Sequence, residues 1–227
     1  MRQKTLRLAL PAIIGSAALS ACAPVVSDIP DVPVPREQTQ VTTVSAPSAA
    51  TPRSPRQAAQ NFISVIGRME PAVERECVAR RTANINCDYQ FVVDDRLELE
   101  PNAFQTLDGS GRPIIGFTVS LIAAAQNADE LAFVVGHEAS HHILNHLDRK
   151  ASSATAGAVI LGGLAAAAGA DTTTISTIQR VGATVGSRVY SRDWELQADY
   201  MGAIITLNAR DDPVNGAEFF RRIPDPG

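Results

Sequence analysis

Apolar residues recur at helical spacing near the start of the region that follows residue 57. Four of them stand three or four positions apart, and a proline interrupts the series; they are Phe62, Ile66, Met69 and Val73, with Pro71 between the last two. This spacing predicts an amphipathic helix. Because proline removes a backbone hydrogen bond, we expect the helix to bend or restart at Pro71.

A second helix is predicted from Asn127 to Lys150. Asn127 is a suitable N-cap, and Glu130 follows at the spacing of a capping box. The first half, from Leu131 to Val135, is apolar, and no glycine or proline interrupts the second half. The apolar half should therefore be buried in a core, while the second half carries polar candidate residues.

The last third of the chain predicts more helices. Residues 154–170 are uncharged and rich in alanine and glycine, which suggests a mobile flap, a close-packed helix over a cleft or an oligomer contact. A membrane span is disfavoured there because the run is short and its side chains are small. Residues 174–189 have helical periodicity and lead into another helix, whose packed face should comprise Leu196, Tyr200, Ala203 and Leu207.

Two short stretches have the composition of β-strands, Tyr89 to Val93 and Pro113 to Val119. A glycine-rich turn at residues 109–111 lies between them. Long helical segments with few strands predict a mostly helical α+β domain with a small β-sheet over residues 57–227. Its length of about 170 residues suffices for one domain with a real core.

The N-terminus predicts export and lipidation. Three basic residues precede an apolar run, Leu8 to Leu19, of the length of a signal-peptide core. Leu19-Ser20-Ala21-Cys22 resembles a bacterial lipobox, so residues 1–21 are interpreted as a signal peptide and Cys22 as the lipidated residue. Ala23 after Cys22 suggests outer-membrane sorting in a Gram-negative host. The alternative is a soluble secreted protein cleaved near Ala21.

Residues 22–56 are interpreted as a tether between this anchor and the domain. The segment holds half of the 14 prolines in the chain, mixed with serine, threonine, alanine and valine. Such a composition builds no core and favours extended conformations, with a reach on the order of 100 Å. The formal charge is −4, and removal of the basic signal peptide takes it to −7. A mildly acidic domain has no electrostatic footprint for nucleic acid.

The segment His137-Glu138-Ala139-Ser140-His141 carries the clearest candidate chemistry. Histidines four residues apart share one face of a helix, so both can reach a single metal ion. Glu138 would then stand beside the metal, where a carboxylate can accept a proton from a metal-bound water. The alternative is a solvated helix with several histidines, and for His142 and His146 we expect a solvent-facing position rather than one behind the ligands.

A third ligand is expected from Glu195, because catalytic zinc sites use three protein ligands and leave one position for water. Asp199 lies four residues later on the same helical face, where it can orient a ligand imidazole. Gly202 would let this helix approach the His137 helix closely. Taken alone, Glu195 and Asp199 are better interpreted as the acidic face of an exposed helix.

Together these motifs resemble the M48 family of zinc metallopeptidases, in particular its bacterial envelope lipoproteins. The resemblance spans roughly residues 57–210 and includes the segment Asn102, Ala103 and Phe104, which implies a substrate-binding role for these three residues. It implies a zincin-like fold and one zinc ion held by His137, His141 and Glu195. It also implies Glu138 as the general base and Asp199 as a partner of a ligand histidine.

The resemblance further implies a zinc metalloendopeptidase that hydrolyses unfolded or misassembled envelope proteins. It would be anchored by lipid, at the outer membrane facing the periplasm, with outer-membrane assembly machinery as a possible partner. Substrate would add to a sheet edge, for which Ile114 to Val119 is the candidate strand. Members of the family commonly carry a histidine–proline pair and an arginine after the second motif. This chain has no histidine after His146, which leaves Arg221 and Arg222 without an assigned role.

Two alternatives to a peptidase remain. One is a chaperone or assembly factor that holds client strands with or without cleaving them. A structural zinc module is disfavoured because a fourth ligand is missing. Cys77 and Cys87 are the only cysteines besides Cys22, and an oxidising periplasm favours a disulfide between them over two free buried thiols.

Overall fold

The computed structural model describes residues 54–189 and 191–223. The predicted signal peptide, Cys22 and nearly all of the predicted tether lie outside these residues. Within the two described ranges, seven helices and three strands follow in the order α1 (Pro55–Arg80), β1 (Gln90–Asp94), β2 (Ala103–Leu107), β3 (Pro113–Thr118), α2 (Val119–Ala124), α3 (Ala128–Ile143), α4 (His146–Ala167), α5 (Thr172–Arg188), α6 (Ser191–Asn208) and α7 (Pro213–Arg222). The predicted α+β class, mostly helical with a small sheet, is confirmed. Among the described residues, no helix combines the length and hydrophobicity needed to cross a membrane.

Helix α1 begins at a capping box in which the Ser54 hydroxyl accepts from the Gln57 amide and the Gln57 side chain accepts from the Ser54 amide. It continues through Pro71 as one helix, so the predicted restart does not occur. Its buried face includes Met69 and Cys77. Cys77 forms a disulfide with Cys87, which ties the end of α1 to the approach of β1.

The sheet has the order β1–β3–β2, so β3 is the central strand. Strand β1 pairs with it in parallel, with Phe91 opposite Ile115. Strand β2 pairs with it in antiparallel fashion, with Gln105 opposite Ile115. The prediction that Ile114 to Val119 supplies a free edge is therefore wrong, because both sides of β3 are already hydrogen-bonded. The strand β2, which sequence patterning missed, is an edge strand, and α3 packs against it.

The helix predicted from Asn127 to Lys150 is two helices. The predicted N-cap is confirmed, since the Asn127 side chain accepts from the Glu130 amide. The return half of the predicted capping box does not form, because the Glu130 carboxylate accepts from the Gln126 amide instead. Helix α3 ends at Ile143, and Asn145 adopts a left-handed conformation with φ of 57° before α4 begins. Asparagine tolerates this conformation better than most residues, so it can break a helix where no glycine or proline is present.

Helices α4 and α5 pack mainly on each other as a hairpin, in which Gly157 and Gly182 bring the two backbones into close approach. Helix α6 instead packs on α3. Its buried residues are Trp194, Ala198, Gly202, Ile205 and Thr206. The predicted packed face is instead mostly exposed, at Leu196, Tyr200 and Leu207. That prediction failed because α6 approaches α3 most closely at Gly202, on the face that also buries Trp194 and Ile205.

Candidate metal centre

Helix α3 places His137 and His141 one turn apart on the same face. Their Nε2 atoms lie 3.1 Å apart. His137 is buried, and His141 is partly exposed at the edge of a cavity. The two imidazoles therefore converge on one point, as their spacing in the sequence predicts.

Helix α6, which packs against α3, brings Glu195 to the two imidazoles. One Glu195 carboxylate oxygen, Oε2, lies 3.2 Å from His137 Nε2 and 3.4 Å from His141 Nε2. The distances from the Glu195 carboxylate to the two imidazoles depend on how closely α6 approaches α3. A Cβ atom on Gly202 would stand only 2.8 Å from the backbone nitrogen of His137, so glycine is required at the crossing.

The three candidate ligand atoms fit a zinc ion. Zinc–ligand distances of about 2.0–2.1 Å at tetrahedral angles place any two ligand atoms about 3.3 Å apart. The three separations observed between the two Nε2 atoms and the carboxylate oxygen are 3.1, 3.2 and 3.4 Å. Two imidazoles and one carboxylate also form the donor set of catalytic zinc sites that keep a position open. Among the described residues, His137, His141 and Glu195 form a group able to hold a metal ion.

Asp199, one turn after Glu195, lies behind the first histidine. Its Oδ1 atom is 3.0 Å from His137 Nδ1, so the carboxylate accepts a hydrogen bond from the imidazole nitrogen that faces away from the site. A neutral imidazole that donates through Nδ1 has its lone pair on Nε2. This contact orients His137 for metal binding.

Electrostatics at this point favour a cation. Burial lowers the pKa of His137, but hydrogen bonds to Asp199 and Glu195 and the charge of Glu138 outweigh burial and raise it to about 10. Burial raises the pKa of Glu195, but hydrogen bonds from His137 and His141 hold it well below its usual range. The carboxylates around the imidazoles therefore stabilise a positive charge, which a proton or a metal ion can supply.

The prediction that His142 and His146 face solvent is wrong, because both are buried. His142 donates from Nε2 to the Asn86 carbonyl oxygen at 2.7 Å and packs edge-on against Tyr89. The Nδ1 atom of His146 lies 3.1 Å from the Nδ1 atom of His141. The left-handed residue Asn145 turns the chain between α3 and α4, which brings His146 back to His141. The single continuous helix predicted from the sequence does not contain this turn.

The two C-terminal arginines have structural partners. Arg222 forms a two-pronged salt bridge with Glu130, with both nitrogen–oxygen distances at 2.7 Å. Glu130 is 1% exposed, and its Oε2 atom also accepts from the Gln126 amide. The exposed Arg221 pairs with the partly exposed Glu218 on the same helix. Arg222 thus joins the end of α7 to the start of α3.

The segment of Asn102, Ala103 and Phe104 leads into the edge strand β2. The backbone of Asn102 makes two hydrogen bonds with Thr118. The Asn102 amide donates to the Thr118 hydroxyl at 2.9 Å, and the Asn102 carbonyl oxygen accepts from the Thr118 amide at 3.0 Å. Beyond it, a cavity of about 270 Å³ is lined by residues of β2, of the disulfide loop and of the helix end that includes His141. The edge strand and one candidate metal ligand, His141, therefore border one cavity.

The model of peptidase family M48 matches residues 71–222, which is most of the described chain and includes both ligand-bearing helices. No curated protein matches the sequence.

Proposed function

This chain belongs to peptidase family M48, whose members are metal-dependent peptidases, and we propose that it is a zinc metalloendopeptidase of the bacterial cell envelope. Its mostly helical domain with a small mixed sheet is the zincin-like fold that the resemblance predicted. One observation carries the choice of zinc. The two imidazole nitrogens and one carboxylate oxygen stand at the mutual distances of three corners of a zinc tetrahedron.

The proposed chemistry assigns a distinct task to each side chain. His137, His141 and Glu195 would hold the ion, which supplies polarisation of the scissile carbonyl and a water of near-neutral pKa when bound. Glu138 follows His137 on α3, is partly buried and lies close enough to contribute to the pKa of that histidine. Glu138 accepts a proton from the attacking water as the new carbon–oxygen bond forms. It delivers that proton to the leaving amine as the carbon–nitrogen bond breaks.

Edge strand β2 is the proposed binding place for substrate. An extended peptide that adds to a sheet edge gains main-chain hydrogen bonds without a demand for a particular sequence. Gln105 of β2 and the ligand His141 line the same cavity, so a peptide paired with β2 would pass beside the metal site. Phe104, which is partly exposed, would contact its side chains.

The proposed substrates are unfolded or misassembled envelope proteins, and outer-membrane assembly machinery is a proposed partner. The predicted export signal, the predicted lipobox at Cys22 and a binding mode that selects extended chains support this proposal. The protein would be lipid-anchored, at the outer membrane facing the periplasm. Replacement of Cys22 with serine should release the protein from the membrane fraction, and its retention there would contradict the anchor.

The decisive experiment compares wild type with Glu138→Gln, both without the predicted signal peptide. We expect one zinc per chain in both proteins and cleavage of unfolded casein only by wild type, with a loss of about 10²–10⁴-fold in the variant. Zinc in both without cleavage by either would favour a chaperone that holds clients. A folded wild type that binds no zinc would contradict the proposed function.

A further inference from the structure

His146 is the first residue of α4, yet its side chain turns back to the metal site. His146 is 3% exposed, and its ring stacks on Trp194 with a centroid distance of 5.8 Å. Its Nδ1 atom faces the Nδ1 atom of His141 at 3.1 Å. The second candidate ligand therefore has a histidine behind it, in the place that Asp199 occupies behind the first.

The direction of this hydrogen bond is set by residues farther from the site. Oε1 of Gln197 lies 3.4 Å from both Arg149 Nη1 and His146 Nε2. Arginine only donates, so the Gln197 side chain presents its oxygen to this junction. The His146 Nε2 atom must then carry a hydrogen to donate to the same oxygen.

The positions of the other imidazole hydrogens of His146 and His141 follow from this one. A neutral imidazole with its hydrogen on Nε2 has a lone pair on Nδ1. His146 therefore accepts at Nδ1, and His141 must donate from its own Nδ1. The lone pair of His141 is left on Nε2, which is the atom that faces His137 and Glu195.

We propose that Arg149, Gln197 and His146 form a relay that fixes the tautomer and orientation of His141 for metal binding. His146 and Gln197 are positioning residues, since they act on the ion only through His141. The Arg149 guanidinium also lies over the Trp194 ring, 5.7 Å from its centroid. The indole therefore packs against both Arg149 and His146. The relay depends on the proposed metal site, because it acts by orienting His141, the second histidine of that site.

The test measures the zinc dissociation constant of each variant by competition with a chromophoric chelator. His146→Phe keeps a ring for Trp194 but removes both nitrogens, and it should weaken zinc binding by about 10–100-fold. His142→Phe is the matched control, because His142 is equally buried but hydrogen-bonds to the Asn86 carbonyl. The control should bind zinc as wild type does.

A second pair of variants tests the direction of the relay. Gln197→Glu keeps an acceptor for His146 and should retain zinc affinity, whereas Gln197→Met has no such oxygen and should lose affinity. The cobalt-substituted proteins should show the same order in their visible spectra, since a misoriented His141 changes the ligand field. Equal zinc affinities and equal spectra for wild type, His146→Phe and Gln197→Met would overturn the relay.

Nitrogen NMR of the zinc-loaded wild type gives an answer that does not depend on how the variants fold. The relay requires a hydrogen on Nδ1 of His141 and on Nε2 of His146. A hydrogen on Nδ1 of His146 would overturn it while leaving the proposed peptidase intact. Failure of the wild type to bind zinc would overturn both, so the two failures are distinguishable.

Discussion

Asp199 influences the candidate metal centre through one hydrogen bond to His137. We expect Asp199→Ala to weaken zinc binding by about 10–100-fold, because the imidazole loses the partner that orients it. Asp199→Asn should fall between the alanine variant and wild type, since its amide oxygen can still accept from Nδ1. Zinc titrations of the three proteins check this, with exposed Asp193→Ala as the control on the same helix. Wild-type affinity in the alanine variant would contradict the role given to Asp199.

Gly202 sets the distance between the two ligand-bearing helices. A Cβ added there would meet backbone atoms of His137 at 2.8 and 3.0 Å, which no side-chain rotation can relieve. We expect Gly202→Ala to lower the free energy of unfolding by about 1–3 kcal/mol and to weaken zinc binding, because Glu195 moves away with α6.

The control for this change is Gly67→Ala on α1, where an added Cβ meets nothing within 4 Å. That variant should gain up to about 1 kcal/mol in unfolding free energy from helix propensity, with zinc affinity unchanged. Denaturant unfolding and zinc titration of both variants make the comparison. Equal stability changes in the two would show that the crossing at Gly202 tolerates a side chain.

At the scale of elements, the Glu130–Arg222 pair holds α7 to the start of α3. Arg222→Met should lower the free energy of unfolding by about 3 kcal/mol, since it leaves a buried carboxylate without its cation. We take the lower end of the range for buried pairs because the Arg222 side chain is 32% exposed. Arg221→Met removes only a surface pair and should cost less than about 1 kcal/mol. Similar losses in the two variants, measured by urea unfolding, would contradict this assignment.

For the whole molecule, metal binding should couple to stability, because the ligands come from α3 and α6 and the complete set exists only in the fold. At free zinc about 1,000 times its dissociation constant, the folded state should gain about 4 kcal/mol, or a rise in Tm on the order of 10 °C. A chelator should abolish peptidase activity and this gain together, and added zinc should restore both. Calorimetry with and without zinc checks the shift, and an unchanged Tm would contradict the site.

The sequence by itself predicted the elements that depend on local spacing. Helix α1, the N-cap at Asn127 and the pairing of His137 with His141 follow from periodicity and capping, which operate over a few residues. Glu195 was a candidate ligand for a chemical reason, because a catalytic zinc site needs a third protein donor. The match to peptidase family M48 confirms the family that these motifs together resemble.

Only the tertiary structure decided which faces and edges meet. The packed face of α6 is built around Gly202 rather than the large residues Leu196 and Tyr200, and β3 lies in the middle of the sheet. The turn at Asn145 returns His146 to His141, which a continuous helix would not do. The physical reason is the separation along the chain over which each interaction acts. Periodicity identifies a helix or strand, whereas its partners are set by close contacts between residues distant in the chain.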